Sequence, residues 1–226
     1  MASQKKVFLN SEGDRWYSRN KQSMNLDPSN SFDPVIQAIH ELKITSERIL
    51  EIGCSGGTRL NRLNKVFGSA CFGIDPSGIA IENGKNEFLK ISLAVGTADS
   101  LPFENNKFDL IIFGFCLYLC DRNDLFKIVS EADRCLVDKG FVVIKDFYPP
   151  FPYKNKYSHE EGIYSYKMDY SKMFSWNPEY SEIYNKVFTH SGINDINNPD
   201  ERIAVTVLSK NVESAYPLEP FGRSSN

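Results

Sequence analysis

Arg48-Ile-Leu-Glu-Ile-Gly-Cys-Ser-Gly-Gly-Thr-Arg-Leu60 is the stretch from which this chain is best read. The apolar run Ile49 to Ile52 is bounded by turn residues and is too short for a helix, which predicts a buried parallel strand. It breaks into Gly53-Cys-Ser-Gly-Gly57 and resumes with helical spacing through Leu60, Leu63 and Val66. A strand feeding a glycine-rich turn and then a helix brings bare backbone up to a cofactor in α/β folds. The spacing is not the dinucleotide fingerprint G-x-G-x-x-G; it reads Glu51-x-Gly53-x-x-x-Gly57. A carboxylate two residues ahead of the first glycine repels a pyrophosphate and attracts a ligand that carries an ammonium.

Outward from this turn the chain alternates. Asp33-Pro34 caps and opens a helix with Val35, Ile36, Ile39 and Leu42 on one face. Ala70 to Ile74 predicts a second strand ending at Asp75-Pro-Ser, roughly 20 residues past the glycine turn, where an acidic side chain accepts from ribose hydroxyls in adenosine-binding folds. Asp75 fits that role and also that of a cap for the helix Ser77 to Leu89. Further strands are expected at Ile91 to Val95, Lys107 to Phe113 and Phe141 to Ile144, the last after a turn at Asp138-Lys-Gly140. A helix over Arg122 to Leu136 and late strands at Glu182 to Phe188 and Arg202 to Leu208 complete the pattern.

These motifs together resemble the class I S-adenosylmethionine-dependent methyltransferases, whose first motif reads (Glu/Asp)-x-Gly-x-Gly-x-Gly. Ser55 stands where that family has its middle glycine. Gly96-Thr-Ala-Asp-Ser-Leu-Pro-Phe103 is similar to the family's Gly-Asp-Ala-Glu-x-Leu-Pro-Phe, with Thr97 and Asp99 replacing its two acidic positions. The resemblance implies a doubly wound α/β fold: a Rossmann-like, seven-stranded, mostly parallel sheet with the last strand antiparallel. It also implies a cofactor site for S-adenosyl-L-methionine, released as S-adenosyl-L-homocysteine. That site would comprise Glu51, Gly53, Cys54, Ser55 and Gly57 on the first turn, with Asp75, Pro76 and Ser77 after the second strand. Thr97, Ala98 and Asp99 would face the adenine, with the Ala98 amide serving the ring. Gly114 and Phe115 would border the sulfonium on the exit turn of the fourth strand, with Tyr118 beside the acceptor; plain core packing is the other reading of Phe115 and Tyr118. Trp16 has two readings, across the cofactor or pinning a helix that opens at Ser11 and Asp14 to the body.

Composition sets the outer bounds. With 226 residues, 41% of them hydrophobic, the chain can bury one good core. It reads as a single domain, with an N-terminal lid or linker (1–32), a core (33–210) and a loose tail (211–226). A net charge of -3 provides no global basic field, so nucleic acid is not an expected partner. The start lacks the apolar stretch of a signal peptide, and Leu110 to Cys120 is too short to span a bilayer. Five cysteines, an odd number, suit reduced thiols in a cytoplasm; Cys116 and Cys120 lack further ligands at metal spacing, so no metal is expected.

The segment 148–184 carries eight of the eleven tyrosines. Leaving the carboxyl end of a strand, it predicts walls for a small acceptor such as a sugar or phenol, with Tyr148 and Tyr164 among the acceptor residues. An aromatic mini-core or a homodimer surface is the other reading. The expected reaction is methyl transfer to a small-molecule hydroxyl; transfer to an amine or amino sugar, and cofactor binding without turnover, stay open. For the acceptor's proton the candidates are His159, beside Glu160 and Glu161, and Asp146 at the end of the fifth strand, with alignment alone as the third option. His40 sits on the helix ahead of the first strand, and His190 lies in a Thr-His-Ser-Gly turn that suggests a solvated side chain.

Overall fold

A computed structural model describes residues 3–24, 33–191 and 195–218. The helices are α1 (Gln4–Val7), α2 (Gly13–Met24), α3 (Pro34–Glu41), α4 (Thr58–Phe67), α5 (Gly78–Glu87), α6 (Leu125–Cys135), α7 (Lys172–Ser175) and α8 (Val212–Ala215). The strands are β1 (Arg48–Ile52), β2 (Ala70–Asp75), β3 (Ser92–Val95), β4 (Phe108–Gly114) and β5 (Leu136–Phe147). They continue with β6 (Tyr153–Lys156), β7 (Tyr164–Lys167), β8 (Tyr180–Thr189) and β9 (Arg202–Lys210).

Seven strands form one sheet in the order β3-β2-β1-β4-β5-β9-β8. Strands β1 to β5 pair in parallel, and β9 runs antiparallel to both β5 and β8. This is the expected doubly wound sheet with its last strand reversed. The pleat sends alternate residues to two cores. Leu50, Ile52, Ile111, Phe113, Val142 and Ile144 pack on the α6 side. Ile49, Leu110, Ile112 and Val143 pack on the side of α3, α4 and α5. Burial on both faces explains why these strands read as unbroken apolar runs. The chain leaves β1 toward β2 and returns on the other side as β4, so a crevice opens between the carboxyl ends of β1 and β4.

Local chemistry sets the helix starts. The Asp33 carboxylate accepts from the Val35 amide at 2.9 Å, and the Ser77 hydroxyl accepts from the Ala80 amide at 3.0 Å. Among the described residues no helix is long and apolar enough to cross a membrane.

Three expectations change. The turn at Asp138-Lys-Gly140 does not separate two elements: β5 already begins at Leu136, which pairs with Phe108. The register then jumps so that Phe141 pairs with Leu110, and Lys139 takes φ 63° in the intervening bulge. Leu136 is fully buried, and anchoring it forces the strand to start early. The helix expected to open at Ser11 and Asp14 already runs from Gln4 through a π-helical turn, Phe8–Glu12, into α2. Its start is capped from a distance: Ser3 Oγ and the Gln4 and Lys5 amides all donate to the Asp121 carboxylate. The tail expected to be loose forms α8 at its beginning, because the Asn211 side chain accepts from the Ser214 amide at 3.1 Å. Residues 25–32 of the expected N-terminal lid or linker lie outside the described residues.

Candidate active site

The crevice at the ends of β1 to β4 is lined on its floor by Gly53, Ser55, Asp75, Pro76, Thr97, Ala98, Asp99, Gly114 and Phe115. Its first turn is tightly built. Gly53 adopts φ 75°, and a Cβ there would stand 2.6 Å from the Cys116 Cβ, so only glycine fits. Ser55 adopts φ 50°, and its hydroxyl is buried without a hydrogen-bond partner among the described residues. Asp75 accepts the Ser55 amide at 2.8 Å and the Ser77 amide at 2.9 Å, which ties the two turns together. Burial pushes its carboxyl up to about 6, against the pull of those two amides.

The rest of the sequence-predicted set lies elsewhere. Cys54 packs beneath the turn against Gly73, Gly57 abuts Ile91 and Leu93 at the start of α4, and the Ser77 side chain caps α5. Glu51 is 1% exposed and faces inward, where its Oε1 accepts from Arg59. Arg59 also donates to Asp33 at 2.8 Å, and both carboxylates hold the guanidinium firmly charged against its burial. Burial pushes the Glu51 carboxyl up while Arg59 opposes it, and Oε2 keeps no partner among the described residues. Asp99 does line the crevice, but its carboxylate is tied to Lys5 Nζ at 2.6 Å and so serves the N-terminal helix.

That helix roofs the crevice. Lys5, Phe8, Gly13 and Trp16 line it from above, facing Asp121 and Asp124 on the loop after β4. No sequence signal marked Lys5 or Phe8, because each meets its partners only through folding. Glu12, fully buried in the π-helical turn, accepts from Arg15 at 2.9 Å, from Arg19, and from the Tyr157 hydroxyl at 2.9 Å. Burial raises this carboxyl, but the Arg19 and Tyr157 donors outweigh burial and hold it below the usual carboxylate range.

Trp16 also borders a second cavity. Its other walls are Asn20, Tyr118, Phe147, Asn155, Lys156, Tyr157, Ser158, His159, Ser165 and His190. The cavity lies between α2 and the β6–β7 hairpin, which follows the end of β5. Of the acceptor residues expected from sequence, Tyr118 lines it and Tyr148 and Tyr164 do not. Tyr164 packs under Lys154, whose Nζ stands 4.4 Å from its ring centroid, and its amide donates to Gln4. The Tyr148 amide pairs with the Arg202 carbonyl. Asp146 lines neither space; it is 2% exposed, and its oxygens accept the Leu117 amide at 2.9 Å and the Phe147 amide at 2.8 Å. It braces the loop after β4, and burial pushes its carboxyl up to about 7.

The profile of a methyltransferase domain matches residues 49–140, the span that carries β1 through the start of β5. These residues form a methyltransferase domain, of the class I S-adenosylmethionine-dependent type that the sequence motifs resemble. The demethylmenaquinone methyltransferase of Staphylococcus aureus is 35% identical over 103 residues, 42% of this chain and 41% of the relative. The fatty-acid O-methyltransferase of Mycolicibacterium smegmatis is 27% identical over 111 residues, 48% of this chain and 40% of the relative. The chain thus spans about two fifths of the length of these curated relatives. The fold is shared with a SAM-dependent methyltransferase of Methanosarcina mazei, at TM-score 0.62 and 18% identity, covering 81% of this chain and all of that one.

S-adenosylmethionine is the cofactor that such a domain implies, and the crevice suits it. The unpaired Ser55 hydroxyl and the Asp75 carboxylate offer polar partners, while Ile52, Ile74, Ala98 and Leu119 offer apolar walls for a ring.

Proposed function

We propose that this chain transfers the sulfonium methyl group of S-adenosylmethionine to a hydroxyl of a small polar acceptor, a sugar or a related metabolite. The observation that carries this reading is the cavity that shares Trp16 with the cofactor crevice. Its amides, hydroxyls and imidazoles, interleaved with Tyr118, Phe147 and Tyr157, suit a ligand with polar edges and apolar faces. The choice of hydroxyl over amine follows from charge. No carboxylate lines the cavity among the described residues, while Lys156 does, so a protonated amine would meet a like charge without a counter-ion. Asp75, Ser55 and Ala98 hold the cofactor's nucleoside in this reading, and Trp16, Phe115 and Tyr118 separate it from the acceptor. The setting proposed is the cytoplasm, with a free small molecule as acceptor and no nucleic acid.

The test supplies labelled S-adenosylmethionine, the purified protein and a deproteinised cell extract fractionated into sugars, nucleotide sugars and phenols. A product one methylene heavier in a hydroxyl-bearing fraction is expected. Incorporation only into amines would replace oxygen by nitrogen, and none into any fraction would leave a binding protein without turnover.

A further inference from the structure

We propose that His190 takes the acceptor's proton during methyl transfer, a reading that rests on the function proposed above. His190 follows the last residue of β8 and is held in place by its backbone. Its amide donates to the Glu201 carbonyl at 2.7 Å, and the next amide, of Ser191, donates to the Glu201 carboxylate at 2.8 Å. The imidazole lies over Phe115, with ring centroids 5.3 Å apart and planes 13° from parallel, and it meets Phe147 at 5.7 Å. Phe115 lines the cofactor crevice, whereas His190 lines the second cavity. The imidazole therefore stands where the two spaces approach each other.

The backbone of Phe115 supports this placement. It adopts φ 67°, which for a bulky residue costs about 1–2 kcal/mol. Tyr118, Phe147 and His190 pack against its ring and hold it there. The rival candidates are less well placed. His159 also borders the cavity, but its ring packs edge-on to Tyr157 at 5.3 Å, on the side tied to Glu12. Asp146 is enclosed and occupied by backbone amides.

Burial lowers the His190 pKa, Lys145 on β5 and Lys167 on β7 lower it further, and Glu201 opposes them. The ring is thus neutral near neutral pH and able to accept a proton. In the step, the acceptor oxygen forms a bond to the methyl carbon as the carbon–sulfur bond breaks. The bonding pair stays on sulfur, giving the neutral thioether, and the hydroxyl proton passes to an imidazole nitrogen and then to water.

The first test needs no acceptor. The imidazole resonances of the full chain are titrated by NMR with S-adenosylhomocysteine and then with sinefungin, which carries an ammonium where the transferable methyl stands. His190→Gln and His159→Gln variants assign the signals. A group facing the methyl position should show a pKa lower by about half a unit or more with sinefungin, and His159 should move less. Equal His190 values in the two complexes, with both ligands shown to bind by calorimetry, overturn the assignment. Failure of both ligands to bind instead overturns the proposed function. The second test compares methyl incorporation into the extract, and His190→Gln should lose about 10²–10⁴-fold in rate with S-adenosylhomocysteine affinity retained. An undiminished rate in that variant, or the larger loss in His159→Gln, also overturns the proposal.

Discussion

The carboxylate of Asp14 accepts the Ser77 hydroxyl at 2.7 Å and the Ile79 amide at 3.0 Å. A residue on the roofing helix thereby helps cap α5, a helix of the core, and the roof is fastened beside Asp75. The same helix is tied at Lys5 to Asp99 and Asp124, and at Glu12 to Tyr157. Cofactor crevice and second cavity therefore share one wall, which side-chain bonds fasten to the core.

Removing the Asp14 carboxylate tests that fastening. Asp14→Ala should cost about 0.5–2 kcal/mol in chemical denaturation, the range for loss of a helix cap. Limited proteolysis should also cut the 4–24 segment faster in this variant. Unchanged stability and protection together would show that the roof is held without Asp14.

The Asp75 carboxyl lies at about 6 because it is buried, and only its ionised form accepts strongly from ribose hydroxyls. Calorimetry should show S-adenosylhomocysteine affinity falling as pH drops through that value. Asp75→Asn should weaken binding at neutral pH by about 1.5–3 kcal/mol and flatten the pH dependence. Equal affinity in a folded variant would remove Asp75 from the ribose role.

Asp146 sets a pH dependence of stability rather than of binding. Its pKa is raised from 3.8 to about 7, so between these values the folded state holds more protons than the unfolded state. The stability it contributes is present below pH 4 and is lost as pH rises toward 7. The stability of the protein relative to Asp146→Asn should therefore fall across that window, by an amount on the order of 2–4 kcal/mol. Denaturation curves at pH 4.5 and 7.5 measure it, and a flat difference would contradict the assignment.

Two separable costs attend Gly53→Ala: the approach to Cys116 and the positive φ. The double variant Gly53→Ala/Cys116→Gly relieves the first and keeps the second, about 1–2 kcal/mol. It should be more stable than the sum of the single losses predicts, while remaining below the parent. Strict additivity in denaturation experiments would show that the two side chains do not meet.

The strand, turn and helix from Arg48 to Phe67 were legible because each depends on neighbours in the chain. An apolar run must be buried on both faces, glycine relieves a tight turn, and spacing at helical period makes one apolar face. The same local logic placed Asp75 at a strand end and Asp33 and Ser77 at helix starts, whereas the reversed last strand came only with the resemblance to the methyltransferases. The position of Ser55 and Asp75 in the crevice follows from the order of elements.

Tertiary structure decided what lies across from what. Glu51 stands where a ligand's ammonium was expected to reach it, yet folding brings Arg59 and Asp33 to its buried side, where an unpaired charge would be costly. Asp146 had the strand-end position of a base, but the backbone amides of a folded loop occupy its oxygens. His190 sat in a turn that read as solvated, and only the pairing of β8 with β9 carries its ring onto Phe115. Local sequence set which elements form and which ends bear polar groups. Long-range packing set which of those groups were consumed by the protein itself and which still face a ligand.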